Sequence, residues 1–176
     1  MSRVYAVANQ KGGVGKTTTV VSVGAYLAAA ERRVLLVDID PQANATSSLG
    51  IDKHGLHRSI YDSIVGSLAL DRILMLTNRL RLDLIPSAPA LAGAEIELVG
   101  MRAREARLKQ ALASVRERYD YVLNDCAPSL GLLTVNALAA ADQVIVPIQC
   151  EYLPMEGLAQ LLQTIELVRV NLNPAL

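Results

Sequence analysis

Phenylalanine and tryptophan are absent from the 176 residues, and six tyrosines are the only aromatic side chains. This argues against single-stranded nucleic-acid binding by base stacking, which needs exposed aromatic rings. The core must then be built from Leu, Val, Ile and Ala, an aliphatic bias that suits buried parallel strands covered by helices. Cysteine is scarce: Cys126 and Cys150 form no short-spaced pair. They read as two small buried hydrophobes in a reduced, cytosolic protein. Net charge is zero, with 17 basic and 17 acidic residues, so bulk charge does not make the chain a polyanion binder. Only a local basic face could. No apolar run reaches membrane-spanning length. The N-terminus enters a strand-like RVYAVA without a charged-then-apolar leader. These absences predict a soluble protein of the cytoplasm.

What is present is an alternation. Short apolar runs at 4–8, 34–37, 82–85, 121–123 and 144–148 are separated by helix-length segments. The helical segments lie near 17–31, 91–99, 102–118, 132–141 and 155–170. Strand, helix, strand, helix in this order predicts an α/β fold with a mainly parallel sheet and right-handed crossovers. The length suits one domain with its own core. The less periodic stretch 51–78 predicts short helices over one edge. Within 102–118, Arg102, Arg104, Arg107, Lys109, Arg116 and Arg118 face only Glu105 and Glu117 in charge. Met101, Leu108, Leu112 and Val115 recur at helical spacing, so the basic residues read as the solvated face of a packed helix.

The chemistry is concentrated at Gln10–Thr18, QKGGVGKTT, which follows the first strand and opens the first helix. Phosphates are anionic, and a helix N-terminus offers unpaired N–H groups at its positive dipole end. Gly12, Gly13 and Gly15 permit a loop whose N–H groups point inward. Lys16 places a point charge on the β- and γ-phosphates, and the Thr17 hydroxyl can ligate Mg²⁺. Average residue usage puts a chance match to KGGxGK[ST] on the order of 10⁻⁵ to 10⁻⁴ per chain. An ordinary phosphate loop begins with Gly where this one has Gln10, followed by a second lysine, Lys11. Lys11 is poorly placed for its own nucleotide. It suits a reach across a dimer interface, as an arginine finger does.

Two acidic positions follow strands. In LLVDIDPQANATSSLG, Asp38 ends the second strand and Asp40 lies just beyond, on the edge where open α/β sheets bind ligands. Asp40 can orient or deprotonate an attacking water. Asp38 either holds the Mg²⁺ shell or braces the loop. In YDYVLNDCAPSLG, Asp125 follows an apolar run and is placed to bind Mg²⁺ through water. The bland alternative for each is a helix cap or turn residue.

These segments together resemble the ParA/MinD family of deviant Walker ATPases, most of all its chromosomal, Soj-type ParA partition proteins. ANQKGGVGKTTT, LLVDIDPQANATSSLG, LIPSAPALAGAEIEL, YDYVLNDCAPSLGLLTVNALAAAD and VIVPIQCEYLPMEGLAQL carry the likeness over nearly the whole chain. The resemblance implies a doubly wound sheet with helices on both faces, binding ATP or ADP with Mg²⁺. It implies a homodimer in the ATP state that binds nonspecific DNA on the bacterial nucleoid. A ParB-like partner would stimulate its weak ATP hydrolysis, and no membrane is involved. The nucleotide would lie on Lys11, Gly12, Gly13, Val14, Gly15, Lys16, Thr17 and Thr18. Lys11 would act in trans, Lys16 on the phosphates, Thr17 and Asp125 on the magnesium, and Asp40 on the hydrolytic water. Gly12 would permit close packing between subunits, and Glu151 and Tyr152 match a stretch near the dimer face.

Four departures stand out. The chain stops at Leu176, just after a helix, whereas family members continue with further strands, an adenine-reading segment and DNA-binding helices. That predicts a P-loop domain incomplete at its C-terminal end. Asn124 occupies a usually apolar strand position, and a buried amide needs partners. Ala127 replaces the first proline of a Pro-Pro pair, and Pro154 stands where a helix begins, a position that tolerates proline. Three other readings compete: a module of the same fold that binds nucleotide without turnover, a MinD-like membrane-cycling ATPase and an iron–sulfur reductase. The second needs an amphipathic C-terminal helix, and 161–176 holds one basic residue, Arg169. The third needs two converging cysteines per subunit, and none lies between Leu82 and Asp125.

Overall fold

A computed structural model describes residues 2–149 and 155–176. Its strands are β1 Arg3–Val7, β2 Val34–Ile39, β3 Met75–Leu76, β4 Leu82–Ile85, β5 Tyr121–Cys126 and β6 Gln143–Ile145. Its helices are α1 Lys16–Ala29, α2 Asn44–Ser48, α3 Ile60–Ile64, α4 Leu91–Glu97, α5 Arg107–Leu112, α6 Leu132–Ala140 and α7 Met155–Asn171. They form the expected doubly wound α/β architecture, with sheet order β3-β4-β2-β5-β1-β6. Every pairing is parallel except that of β3 with β4. The two-residue β3 carries too short an apolar pattern to be expected. β6 ends at Ile145 rather than at 148, near Pro147, which has no N–H for a ladder.

Side chains alternate across the sheet with the two-residue period of a strand. Val34, Leu36, Leu82, Leu84 and Leu123 pack with Val20 and Ala28 of α1 on one face. Leu35, Val37, Ile39, Ile85 and Val122 pack on the other with Ile60, Leu91, Leu108, Leu133 and Leu161 from five other helices. The stretch 51–78 contributes α3 and a short helical turn at Leu70–Arg72, and Ile64, Leu70 and Ile73 join that larger layer. Among the described residues no helix is long and apolar enough to cross a membrane.

The helix expected over 102–118 is a correction. Only Arg107–Leu112 is α-helical, followed by a 3-10 turn at Arg116–Arg118. The cause is Asn136 of α6. Its Nδ2 donates to the Arg104 carbonyl (2.7 Å) and its Oδ1 accepts the Leu108 N–H (3.1 Å). Those are the two groups that an α-helix would pair with each other. A buried side chain has replaced a helical bond, so the helix starts at Arg107. Leu108, Leu112 and Val115 are buried as the apolar stripe predicts. Asn124, the amide expected to need partners, donates from Nδ2 to the Tyr5 carbonyl (3.1 Å), while its Oδ1 has none among the described residues.

The basic residues divide. Arg102, Lys109 and Arg118 are exposed. Arg107 is not a solvated charge: its guanidinium donates to the carbonyls of Ile64 (2.8 Å) and Val65 (3.1 Å) and to Ser67 Oγ (3.3 Å). It closes the C-terminus of α3, where carbonyls lack helical partners and a cation complements the dipole. Arg107→Ala should therefore lower unfolding free energy by about 1–3 kcal/mol in urea titrations. Lys109→Ala, two residues on and exposed, should change it by no more than ~0.5 kcal/mol.

Candidate functional site

β5 lies between β1 and β2, so the C-terminal ends of these three strands sit side by side. The register pairs Val7 with Asp125, and Asp125 with Asp38. The glycine-rich loop leaves β1 at this point and returns as α1. Gly13 (φ 74°) and Gly15 (φ 89°) adopt the left-handed backbone that a β-carbon disfavours. Gly15 caps α1 without a side-chain bond, and the first turn carries no acid. The positive end of α1 is thus left for an external anion. A cleft of roughly 330 Å³ opens there, lined by Gly12, Gly13, Gly15, Lys16, Thr17, Thr18, Asp40, Gln42, Asn44 and Pro128.

The two lysines differ. Lys16 is buried, and its Nζ donates to the Lys11 carbonyl (3.1 Å). Burial lowers its pKa, and the charges of Asp125 and Asp40 oppose that. Lys11 is exposed, and its backbone N–H donates to Asn9 Oδ1 (3.0 Å). Both peptide groups of Lys11 are fixed within the subunit while its side chain stands on the surface. Val14 is buried beneath the loop, and Gly12 is exposed, with no atom within 4 Å of where a β-carbon would sit.

The carboxylates also differ. Asp38 is buried and accepts from Thr46 N–H (2.8 Å), Thr46 Oγ1 (2.7 Å) and Asp40 N–H (3.2 Å). Of the two roles open to it, this geometry favours bracing the loop after β2. Burial pushes its pKa up to about 6 despite the Thr46 bonds. Asp40 accepts the Gln42 N–H (2.9 Å) on Oδ1, and its backbone carbonyl accepts from Ser87 Oγ (2.7 Å). Asp125 is buried, and neither carboxylate oxygen has a hydrogen-bond partner among the described residues. The Thr17 hydroxyl lies near enough to lower its pKa without meeting hydrogen-bond geometry. Burial, then the charge of Asp38, push that pKa up to about 7 against this opposing pull. A buried carboxylate with both oxygens open, beside a hydroxyl at the mouth of an anion site, fits a hydrated divalent cation.

Gln42, Asn44 and Pro128 line the cleft without having been singled out as site residues. The signal for them was adjacency: the polar run PQANATSS after β2, and the proline three residues past Asp125. Asn9 gave none. It holds the loop's start by donating to the Pro147 carbonyl (2.8 Å) while accepting from Lys11. Cys126 is buried, and burial pushes its thiol pKa up. Cys150, Glu151, Tyr152 and Pro154 lie outside the described residues.

A family model described as an AAA domain matches residues 2–176. The chain is 56% identical over 173 residues to the sporulation initiation inhibitor protein Soj of Bacillus subtilis, covering 98% of this chain and 68% of Soj. It is 51% identical to the chromosome partitioning protein ParA of Myxococcus xanthus, over 100% of this chain and 62% of that one. The chain belongs to the ParA/Soj family of P-loop ATPases. A crystal structure named cobyrinic acid a,c-diamide synthase, from Mycobacterium smegmatis with bound ADP and magnesium, superposes at a TM-score of 0.96. It shares 49% identity and covers 99% of this chain and 71% of that one. A plasmid partition protein from Borrelia burgdorferi superposes at 0.86 with 30% identity, over 96% and 75% of the two chains. The ParA/Soj chain described here thus spans about two thirds of the length of these curated relatives.

The carboxylate pair makes a pH prediction for this ParA/Soj chain. Asp38 and Asp125 hold protons in the folded state that the unfolded chain releases near pH 4. The folded state therefore binds more protons between about pH 4 and 7, and stability falls as pH rises through that window. Asp125→Asn should stabilise the nucleotide-free protein at pH 8 by at least ~1 kcal/mol in urea denaturation. The gain should shrink toward zero as pH approaches 4.

Proposed function

We propose that this chain is the nucleotide-binding part of an ATP-dependent dimerising switch of chromosome or plasmid partitioning. The observation that carries the reading is that Lys16, Thr17 and Asp40 line one cleft at the glycine loop, while the Asp125 carboxylate, buried near all three, has no hydrogen-bond partner among the described residues. The loop N–H groups and Lys16 bind the phosphates, with Lys16 exchanging the Lys11 carbonyl for a charged oxygen. Thr17 and Asp125 would hold Mg²⁺, which when bound neutralises charge on the phosphates. Asp40 orients the attacking water and accepts its proton. Lys11, tied at both peptide groups and exposed at its side chain, reaches the phosphates of a second subunit.

The relatives' names support a role in chromosome partitioning, and the resemblance adds the partners: a homodimer in the ATP state, nonspecific DNA on the nucleoid and a ParB-like stimulator of hydrolysis. The name of the mycobacterial structure suggests an amide synthase instead. The two readings separate on what turnover requires. A partition switch hydrolyses ATP faster with DNA and a protein partner, and a synthase does so with an acid and an amine donor.

Titration calorimetry and size-exclusion chromatography with ATP and ADP test the proposal. Wild-type protein should bind Mg·ATP and dimerise with ATP only. Lys16→Ala should weaken nucleotide binding roughly 10- to 100-fold. Lys11→Ala should bind nucleotide nearly normally yet stay monomeric, and Asp40→Ala should stay dimeric with ATP and release no phosphate. Normal dimerisation of Lys11→Ala would remove the trans role. Binding without phosphate release above the Lys16→Ala background would leave only a non-hydrolysing module.

A further inference from the structure

The segment LIPSAPALAGAEIEL contributes no residue to the cleft lining, yet one of its side chains bonds to the helix end that follows a cleft loop. Glu95, half-buried on α4, accepts the N–H groups of Leu132 (2.9 Å, on Oε2) and Leu133 (3.3 Å, on Oε1). These are the first two residues of α6. The helix cannot serve them itself: its cap is Gly131, without a side chain, and its first turn holds no acid. A carboxylate there satisfies two orphan donors and complements the dipole. It comes from 37 positions away. The fit is close, since a β-carbon on Gly131 would fall within 3 Å of all three Glu95 carboxyl-group atoms.

The clamped helix end is also the end of the loop that leaves Asp125. That loop, 127–131, carries Pro128 into the cleft beside Lys16, Thr17 and Asp40. Its far side is held by Thr134, whose hydroxyl donates to the Ser129 carbonyl (2.6 Å). The shape of this loop rests on the contacts at its two ends. One end is β5, locked in the sheet, and the other is the Glu95 clamp.

We propose that Glu95 is a positioning residue for ATP hydrolysis: by closing the N-terminus of α6 it fixes the 127–131 loop against the phosphate cleft. This rests on the ATPase reading above. Glu95 touches neither nucleotide nor water and acts through the loop. Losing it should therefore change the rate of the chemical step more than nucleotide affinity, because a small displacement of a cleft wall misaligns the attack.

The test compares wild type, Glu95→Gln and Glu95→Ala, with Glu97→Gln as a control. Glu97 is exposed on the same helix, and among the described residues its carboxylate accepts only from the Tyr61 hydroxyl. Calorimetry with Mg·ATP, single-turnover hydrolysis and amide hydrogen exchange are measured on each. The expected result is unchanged affinity and hydrolysis slowed about 10- to 100-fold in both Glu95 variants. Exchange should quicken at Leu132, Leu133 and the 127–131 loop, with protection in β1, β2 and β5 retained. Glu97→Gln should match wild type in every measurement. If Glu95→Ala fails to fold, Glu95→Gln, which keeps the size, decides. Wild-type hydrolysis or wild-type loop protection in Glu95→Gln overturns the proposal. If wild-type protein takes up no Mg·ATP, the nucleotide reading fails and the role in hydrolysis is overturned with it. Exchange then shows whether the clamp is structural only.

Discussion

The insertion of β5 between β1 and β2 is the constraint on which the rest of the site depends. It sets Asp125 in register with Val7 on one side and with Asp38 on the other. Two carboxylates are thereby buried at the tips of adjacent strands, and the charge of Asp38 raises the cost of ionising Asp125. The surrounding sequence deals with them unequally. Asp38 is given three donors from the loop after β2 and becomes part of the scaffold. Asp125 has no hydrogen-bond partner among the described residues, and only the nearby Thr17 hydroxyl and the charge of Lys16 ease its ionisation. A fold selected for stability alone would not leave that buried carboxyl without a hydrogen bond. The arrangement makes physical sense if, as proposed, a cation is the partner of this carboxylate.

Much of this was legible in the chain. β1, β2, β4, β5 and the helices α1, α6 and α7 follow from local apolar patterns, because burial on one face imposes a period that sequence displays directly. The phosphate loop was legible for the same local reason: the left-handed turns at Gly13 and Gly15 require glycine, and α1 follows at once. Asp40 and Asp125 could be placed at strand ends. What was not legible is long-range. The strand order that brings Asp125 beside Asp38 leaves no trace in periodicity. Asn136 cuts short the expected 102–118 helix from 28 positions away. Arg107 reads as a solvated charge until the carbonyls of α3 are seen to face it.

The same distinction separates the residues that make the cleft from those that hold it. The lining is contiguous with its own motifs: the glycine loop, the run after β2 and the turn after β5. The holding groups are not. Asn9 ties the loop's start to Pro147, Ser87 ties the Asp40 carbonyl to the segment after β4, and Glu95 ties the third loop to α4. Each is one or two polar bonds spanning more than 35 residues of chain, against a sheet held by a continuous apolar core. Loops tethered so sparsely can shift without disturbing the strands beneath them.

That sparseness explains how binding at the cleft can be felt elsewhere. The Lys16 ammonium donates to a neutral acceptor, the Lys11 carbonyl. A phosphate oxygen would offer Lys16 a stronger, charge-assisted bond, so a nucleotide bound as proposed would compete directly with an internal contact. The contact it displaces is on Lys11, whose amide is held through Asn9 to the strand exit at Pro147. Phosphate binding as proposed would therefore change the restraint on the backbone of Lys11, an exposed residue of the loop. A ligand shifts a conformational equilibrium only by its differential affinity for the two states. Exchanging a carbonyl for a phosphate at Lys16 supplies that difference at the base of Lys11.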